Sequence, residues 1–284
     1  MPATQNHDSS IGDRPTVIDI DLSALSANLS VVQKFVAPAR VMAIVKANAY
    51  GHGIVPCAQK LAEAGVDALG VAFLEEGIAL RDAGIRTPVL VLGGLESSRI
   101  QHYITHNLDM TASSVAKLEA IESIAGTVKK KARVHLKIDT GMGRIGQSYR
   151  TAELLLERSL RCANTEVVGI YSHFATGEEA DQSFARLQLE RFNEVLSFYA
   201  RRSLARPVVH MANSGALLQL RESHFDMVRT GLCVYGIAPA PHLAAAIAVK
   251  PVLSLRSAVV YFKSIPAGTP VSAPDPQTAP WPGP

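Results

Sequence analysis

The organisation of this chain is decided by the stretch Val41-Met42-Ala43-Ile44-Val45-Lys46-Ala47-Asn48-Ala49-Tyr50-Gly51-His52-Gly53. Its first five residues are apolar and partly β-branched, which predicts a buried strand. Two glycines bracket the turn at its end, where the backbone can take angles that other residues resist. Lys46 stands between strand and turn, and its ammonium would be costly to bury without a partner. The stretch therefore predicts a strand that delivers one lysine to its carboxyl end.

Lys46 is a candidate for covalent chemistry. A lysine in an apolar pocket has a lowered pKa and becomes a usable amine nucleophile. Such amines form Schiff bases with aldehydes, and the commonest aldehyde cofactor is pyridoxal 5'-phosphate (PLP). The plainer interpretation is a strand-end lysine that reaches solvent. Tyr50 favours the cofactor, because its hydroxyl lies four residues on and could bind a phosphate oxygen.

Composition limits the class of protein. The chain has 284 residues, of which 48% are hydrophobic, and a net charge of +3, too small to indicate nucleic acid or an anionic membrane as partner. Its three cysteines, Cys57, Cys162 and Cys233, are far apart, so neither a disulfide framework nor a zinc site is expected. No secretory signal and no apolar stretch of about 20 residues is evident. We expect a cytoplasmic protein.

Apolar runs alternate with amphipathic helical segments along the chain. Counting the stretch above as 41–46, eight strands are predicted, the others being 68–73, 88–92, 108–111, 134–138, 167–171, 208–211 and 227–231. Eight parallel βα units close naturally into a TIM barrel, which places chemistry at the carboxyl ends of the strands. An open doubly wound sheet is the alternative, but no GxGxxG fingerprint follows the first strand.

The chain divides into four predicted segments. Residues 1–14 are polar and are expected to form a flexible arm, and residues 15–240 form the barrel. Residues 241–271 start a β-rich domain, because Val249 to Ile265 has the pattern of β structure. Residues 272–284 contain five prolines and are expected to be a disordered tail without strands.

Polar residues follow the later barrel strands, where a barrel would hold its site. Lys137 and Asp139 alternate onto one face of their strand, and Arg144 follows a glycine turn. The guanidinium of Arg144 could bind a substrate carboxylate bidentately. A surface turn with solvated charges explains the same residues. His173 could likewise be a satisfied core histidine, and Ser214 could be a plain helix N-cap as well as a phosphate ligand.

Residues 45–53 and 137–144 closely resemble the signatures of alanine racemases, which are PLP enzymes with a TIM-type barrel. The resemblance implies that Lys46 carries PLP as a Schiff base and that Arg144 contacts the substrate carboxylate. It implies carbamylation of Lys137, which would give Arg144 a fixed counter-charge, and it implies no metal ion. The remaining residues implied to bind the cofactor are Tyr50, His173, Ser214, Arg229, Gly231 and Leu232.

Arg229 carries the electronic part of the resemblance. It would lie opposite the pyridine nitrogen, and an arginine does not give up its proton at ordinary pH. The ring nitrogen would stay unprotonated, which weakens the electron sink and limits side reactions such as transamination. Amino-acid decarboxylases would place an acidic residue there, which argues against that class.

The function implied is interconversion of L- and D-alanine for peptidoglycan, by a homodimer. A racemase for another amino acid and a non-catalytic PLP-binding barrel are the alternatives. Lys46 would serve as the proton base on one face of the substrate. The second base of the family, a tyrosine of a C-terminal β domain, is not found, since the resemblance stops at about residue 271. We read this as a truncation or shifted reading frame, and expect weak dimerisation and impaired activity.

Overall fold

Eight parallel strands close into a barrel in the computed structural model of the chain, which describes residues 15–271 and 277–278. Strand β1 is Val17–Ile20, and β7, Gln147–Ser148, pairs with the end of β6. The barrel strands are β2 (Arg40–Ile44), β3 (Ala68–Val71), β4 (Val89–Val91), β5 (Asp109–Ala112), β6 (Ala132–Asp139), β8 (Thr165–Tyr171), β9 (Val208–His210) and β10 (Met227–Thr230).

The ring is complete. The strands pair in the order β2, β3, β4, β5, β6, β8, β9, β10, and β10 pairs with β2 in parallel. This confirms the predicted TIM barrel and excludes the open doubly wound sheet, because a closed ring has no edge strand in the barrel.

Helices connect the barrel strands, as the apolar periodicity predicts. They are α1 (Leu22–Val36), α2 (Ile54–Glu63), α3 (Leu74–Asp82), α4 (Ile100–Thr105), α5 (Val115–Val128), α6 (Ala152–Ser159), α7 (Ser183–Arg201) and α8 (Ser214–Gln219). Asp21 caps α1, since its carboxylate accepts hydrogen bonds from the backbone of Ser23 and Ala24 at 2.9 Å. In the described part of the chain, no helix is long and apolar enough to span a bilayer.

Strand β2 shows how the alternation of side chains builds the core. Val41 and Ala43 belong to the large apolar cluster that includes the helices, whereas Met42 and Ile44 belong to a smaller one. That smaller cluster gathers side chains of several barrel strands, namely Met42, Ile44, Ala68, Leu90, Tyr171 and Met227. Both faces of the strand are therefore buried, which explains its continuous apolar run.

The register of the strands brings polar residues of distant sequence into rows. Lys137 of β6 pairs with Tyr171 of β8, and Tyr171 pairs with His210 of β9. Strand β10 is the next in the ring after β9, and its Arg229 pairs with Met42 of β2. Side chains that share a row at the carboxyl ends of the strands are thus neighbours in space.

Contacts divide the chain into Ile20–Val252, which contains the barrel, and a smaller unit that includes residues 253–271. In the smaller unit β1 pairs with β11 (Leu253–Arg256), and Arg256 Nε lies 2.5 Å from an oxygen of Asp19. The side chains of residues 259–262 are 77–86% exposed.

Two predictions about the C-terminal part need correction. The β pattern of Val249 to Ile265 yields one strand, β11, because residues 257–265 pair with no other strand among the residues described. Gln277–Thr278 form a short strand antiparallel to Pro270–Val271, against the prediction of a tail without strands. The rest of that tail, residues 272–276 and 279–284, and the predicted arm of residues 1–14 lie outside the described residues.

Candidate active site

One cavity of about 280 Å³ lies at the carboxyl ends of the barrel strands. Its volume is close to the lower end of the range for small-molecule sites. All nine residues singled out from the sequence line it, namely Lys46, Tyr50, Lys137, Arg144, His173, Ser214, Arg229, Gly231 and Leu232. The structure therefore brings together side chains and backbone from five separate segments of the chain.

Lys46 is held by an unusual backbone. Strand β2 ends at Ile44, two residues earlier than the predicted strand, so Lys46 begins the following turn. The next four residues, Ala47 to Tyr50, all have φ between 52° and 55°, and together they form a left-handed turn. This conformation costs roughly 1–2 kcal/mol per non-glycine residue, because the Cβ crowds the following carbonyl oxygen. The surrounding structure must therefore hold the turn in place.

Arg229 is the most completely bonded cation of the cavity. Its Nη1 lies 3.0 Å from His210 Nδ1, and its Nη2 lies 3.0 Å from His173 Nδ1. The same Nη2 donates to the carbonyl oxygens of Ser172 and Met211 at 2.7 and 2.9 Å. Burial lowers the pKa of Arg229 to about 10, so the side chain stays protonated at neutral pH and can act only as a donor.

A chain of hydrogen bonds continues from Arg229 into the barrel. His210 Nε2 lies 2.8 Å from His135 Nδ1, and His135 Nε2 lies 3.4 Å from Asp109 Oδ2. Asp109 is bound in turn by Arg133 at 2.7 and 3.3 Å. Because Arg229 can only donate and the carboxylate can only accept, we assign both histidines as neutral rings with their proton on Nε2.

The electrostatics of this chain follow from burial. Burial, followed by the charge of Arg229, lowers the pKa of both His173 and His210 well below the ordinary value. Burial acts to raise the pKa of Asp109, but hydrogen bonds from His135 and Arg133 outweigh it, so this pKa is lowered. At pH 7 the Asp109 carboxylate is therefore ionised, and His173 and His210 are neutral.

Lys137 is a buried amine without a carboxylate. Its side chain is 7% exposed, and its Nζ lies 4.2 Å from the centre of the Tyr171 ring. No ion pair or hydrogen bond to Nζ is formed by the residues that the structure describes. Burial, then the charges of Arg229 and Arg144, hold the pKa of Lys137 well below its usual range. Asp139 acts in the opposite direction, although its carboxylate is bonded to the backbone of Gly141 and Gly143.

Tyr50, Ser214 and Gly231 form one corner of the cavity. Ser214 Oγ accepts a hydrogen bond from the Gly231 backbone at 3.0 Å, so this amide already has a partner. A Cβ at Gly231 would come within 2.9 Å of the Tyr50 hydroxyl, so a larger residue there would require Tyr50 to shift. The helix cap is Asn213, which accepts from Ala216 at 3.0 Å, so the interpretation of Ser214 as the N-cap was wrong. The Ser214 hydroxyl is thus turned to the interior of the site.

Arg144 differs from the other cations because it is exposed. It lies in the loop after β6 and forms no hydrogen bond or ion pair within residues 15–271 and 277–278. A guanidinium in this position is available to bind an anion that enters the cavity.

Sequence reasoning missed three residues of the hydrogen-bond chain that ends at Arg229: Asp109, His135 and His210. The sequence pattern could have indicated the two histidines, because each interrupts an otherwise apolar run within a predicted strand. Their mutual contacts depend on the register of the closed barrel, since His135 and His210 are 75 residues apart in the chain.

Comparison with known proteins agrees with this geometry. The alanine racemase N-terminal domain family matches residues 20–239. The alanine racemase of Geobacter sp. strain M21 is 40% identical over 265 residues, which are 91% of this chain and 70% of the relative.

Solved structures of alanine racemases share the fold. The alanine racemase of Streptomyces coelicolor A3(2) superposes with a TM-score of 0.88 at 34% identity, covering 94% of this chain and 73% of that one. The alanine racemase of Bartonella henselae, solved with covalently bound pyridoxal phosphate, gives a TM-score of 0.81 at 28% identity, with 95% and 74% covered. On the extent of these matches, the chain belongs to the alanine racemase family.

Proposed function

We propose that this chain interconverts L- and D-alanine, with PLP held covalently by Lys46. One observation carries the proposal: the nine residues named from the sequence surround a single cavity, with Lys46 and Arg229 both in its wall. The family membership shown above and the covalently bound PLP of the Bartonella henselae relative support the same assignment.

The residues of the cavity fit a phosphorylated pyridine. The hydroxyls of Tyr50 and Ser214 and the backbone of Leu232 would hold the phosphate, in the corner that Gly231 keeps open. Arg229 would face the ring nitrogen, and His173, whose Nδ1 is bonded to Arg229, would lie against the ring. Lys46 supplies the amine. No carboxylate is paired with any of the cavity's four cationic side chains in the described residues, so their positive charge remains uncompensated and favours an anionic cofactor.

The chemistry divides between cofactor and protein. When bound, PLP supplies an electron-withdrawing ring that lowers the cost of removing the α-proton of an amino acid. Arg229 keeps its own protons and donates a hydrogen bond, which limits how strongly the ring withdraws electrons. Arg144 orients the substrate through its carboxylate, and Lys46 takes or returns the α-proton on one face.

The opposite face needs a second proton carrier. Among the described residues, the tyrosines that line the cavity are Tyr50 and Tyr171. Burial raises the pKa of both, that of Tyr171 to about 12, so neither is suited to act as a base. We therefore propose slow turnover that depends on Lys46. This observation also favours the second candidate function, a barrel that binds PLP without racemising amino acids.

We propose that Lys137 is carbamylated, as the resemblance implies. Burial favours its neutral amine, which can attack carbon dioxide. A carbon–nitrogen bond forms, the nitrogen loses one proton to solvent, and a carbamate anion results. The anion would offset the positive charges of Arg229 and Arg144, which the unmodified lysine only adds to. Mass spectrometry of the intact chain after exposure to ¹³C-labelled bicarbonate tests this step.

The test of the proposed function begins with added PLP. We expect a visible absorbance band that borohydride abolishes, and a reduced adduct on the peptide that contains Lys46. A D/L-alanine assay on the same sample then separates the two candidate functions, because capture without racemisation would favour the non-catalytic barrel. If folded wild-type chain captures no PLP, both are wrong.

Several finer expectations are also proposals. Supply of D-alanine to peptidoglycan and homodimer formation follow from the resemblance. A cytoplasmic location is supported by Cys57, Cys162 and Cys233, each of which is free in the structure. Alanine rather than another amino acid as substrate is tested by running the racemisation assay with serine in parallel.

A further inference from the structure

A single carboxylate joins the turn after Lys46 to the next βα unit of the barrel. Glu76 Oε1 accepts a hydrogen bond from the backbone of Ala47 at 2.6 Å. Its Oε2 accepts from the backbone of Ala72 at 2.7 Å and of Phe73 at 3.2 Å. Glu76 thus bonds the peptide that directly follows Lys46 and the two residues between β3 and α3.

The position of this contact matters because the turn is strained. Ala47 is the first of four consecutive residues with φ near +53°, and its side chain favours other conformations. Within the turn, the backbone of Ala49 donates to Val45 at 2.9 Å and that of Gly51 to Ala47 at 3.1 Å. The Ala47 amide has Glu76 as its acceptor, so the start of the turn depends on a side chain from another element.

A second contact fixes the far end. The side chain of Asn48 accepts a hydrogen bond from the backbone of Ile54 at 2.8 Å. This bond lies within the same segment, whereas Glu76 is 29 residues from Ala47 in the chain. Glu76 therefore connects the turn to the segment between β3 and α3, whereas the Asn48 bond connects two parts of the turn's own segment.

We infer that Glu76 is a positioning residue for Lys46: it holds the Lys46–Ala47 peptide so that the amine points into the cavity. Glu76 does not line the cavity, and it forms no ion pair with Lys46 in the described part of the chain. Its effect is therefore exerted through the backbone. The inference rests on the proposed attachment of PLP to Lys46, and it deepens that proposal by naming what orients the amine.

Glu75 provides a matched control. It is the neighbouring residue of the same helix, its side chain is 62% exposed, and it forms an ion pair with Arg99 at 2.6 Å. Glu75→Gln removes the same charge from the same turn of α3 without touching the Lys46 segment. Glu76→Gln keeps one acceptor oxygen but places an amide group against the other backbone donors, which it cannot accept from.

The experiment measures how fast Lys46 is trapped by PLP and borohydride, with mass spectrometry of the Lys46 peptide. Misplacement of a reacting group by about 1 Å costs up to roughly 100-fold in rate, so we expect Glu76→Gln to slow trapping by about 10- to 100-fold. Glu75→Gln should trap at the wild-type rate. Ala47→Gly in the Glu76→Gln background should recover part of the rate, since glycine takes positive φ without a clash.

Amide hydrogen exchange of residues 46–51 without PLP supplies a readout that does not depend on the cofactor. We expect faster exchange there in Glu76→Gln and unchanged exchange in Glu75→Gln. The inference would be overturned if the wild type traps PLP and Glu76→Gln shows the same trapping rate and the same hydrogen exchange as the wild type. A wild type that never traps PLP would instead overturn the proposed function, and the exchange data would still decide whether Glu76 holds the turn. If Glu76→Gln does not fold, Glu76→Asp replaces it, because the shorter side chain cannot reach both elements.

Discussion

The two ends of the barrel treat charge in opposite ways. At the carboxyl ends of the strands, the mouth contains Lys46, Lys137, Arg144 and Arg229, none of which has a carboxylate partner among the described residues. Deeper in the barrel, the floor cluster of Asp109, Arg133 and His135 is joined by an ion pair and hydrogen bonds. Lys137 and Arg229 of the mouth are as deeply buried as Asp109 and His135 of the floor cluster, so exposure to water alone does not explain the difference.

The difference separates a site for ligands from a structural network. Burying a charge without a partner is costly, and a folded chain retains such charges where a ligand will supply the counter-charge. The floor cluster already contains its own counter-charges and needs no ligand. Substitutions in the mouth should therefore affect capture and activity first, whereas substitutions in the floor cluster should affect stability first.

The largest expected effect is that of Lys46→Ala. Removing the amine abolishes covalent capture of PLP and should lower racemisation by about 1000-fold or more, the scale of a lost base together with lost attachment. Thermal unfolding should change little, because Lys46 has no ion-pair partner in the described residues. Capture is measured by borohydride reduction and activity by a D/L-alanine assay. Full capture by the variant would show that another residue holds the cofactor.

Arg229→Leu should cost most in stability. It leaves His210 Nδ1, His173 Nδ1 and two carbonyl oxygens without a donor, at about 1–3 kcal/mol for each unsatisfied group, so we expect a loss of at least about 4 kcal/mol. Arg144→Leu is the comparison in the same mouth, and it should change the unfolding free energy by less than about 0.5 kcal/mol. Urea unfolding of both variants checks this. Similar losses in the two would contradict the assigned roles.

Asp109→Asn tests the floor cluster. The amide cannot accept from both Arg133 and His135, so we expect a loss of about 2 kcal/mol in the unfolding free energy while PLP capture is retained. Because the pKa of Asp109 is lowered in the folded chain, its contribution is present above the ordinary pKa and is lost as the pH falls through the folded value. The unfolding free energies of the wild type and the variant should therefore become equal in acid. A constant difference down to pH 2 would contradict this.

A milder pH dependence should come from His173 and His210. Their folded pKa values lie below the unfolded value of about 6.5, so the unfolded state takes up protons first as the pH falls. The contribution of these two histidines to the free energy of unfolding is fully present above about pH 6.5. Below that pH, the free energy of unfolding should decline by up to about 1.4 kcal/mol per pH unit for each histidine. Urea midpoints at pH 7, 6 and 5 measure the slope. His173→Gln should roughly halve it, and an unchanged slope would assign the effect to other groups.

The smallest expected effect has the opposite sign. Lys137→Met replaces a buried, unpaired amine by an apolar side chain of similar length, and we expect the unmodified chain to gain about 1 kcal/mol. Added bicarbonate should stabilise the wild type and leave the variant unchanged, if Lys137 forms a carbamate. Thermal unfolding with and without bicarbonate decides both points. A variant that is less stable than the wild type without bicarbonate would show that the unmodified Lys137 is already well compensated.

Much of the barrel could be predicted from sequence, because each strand is a short apolar run and each helix has its own apolar stripe. The cavity residues could be predicted from the strands, because a TIM barrel brings the segments that follow its strands together at one end. The chain from Arg229 to Asp109 could not be predicted, since β5, β6, β9 and β10 meet only through the register of the closed ring. The local pattern was also misleading after Val252. The alternating apolar residues predicted β structure, but residues 257–265 pair with no other strand among the described residues.

The left-handed turn was beyond prediction for a different reason. Ala47 and Ala49 have side chains that favour the right-handed region, and local preference alone would not place them at positive φ. Contacts outside the local sequence help to hold this conformation, among them the hydrogen bond that Glu76 accepts from the Ala47 backbone. Departures from local preference of this kind are expected at functional sites.

The assigned protons of the hydrogen-bond chain have a consequence for Arg229. Each imidazole turns its unprotonated nitrogen towards Arg229 and its N–H towards Asp109, so the two ring dipoles point the same way. The negative end of each dipole faces the guanidinium. The two neutral rings therefore stabilise a largely buried cation as oriented water molecules would, and Asp109 fixes their orientation from the far side of the barrel. A mutation at the floor could thus alter how firmly Arg229 keeps its charge, although no atom of Asp109 touches it.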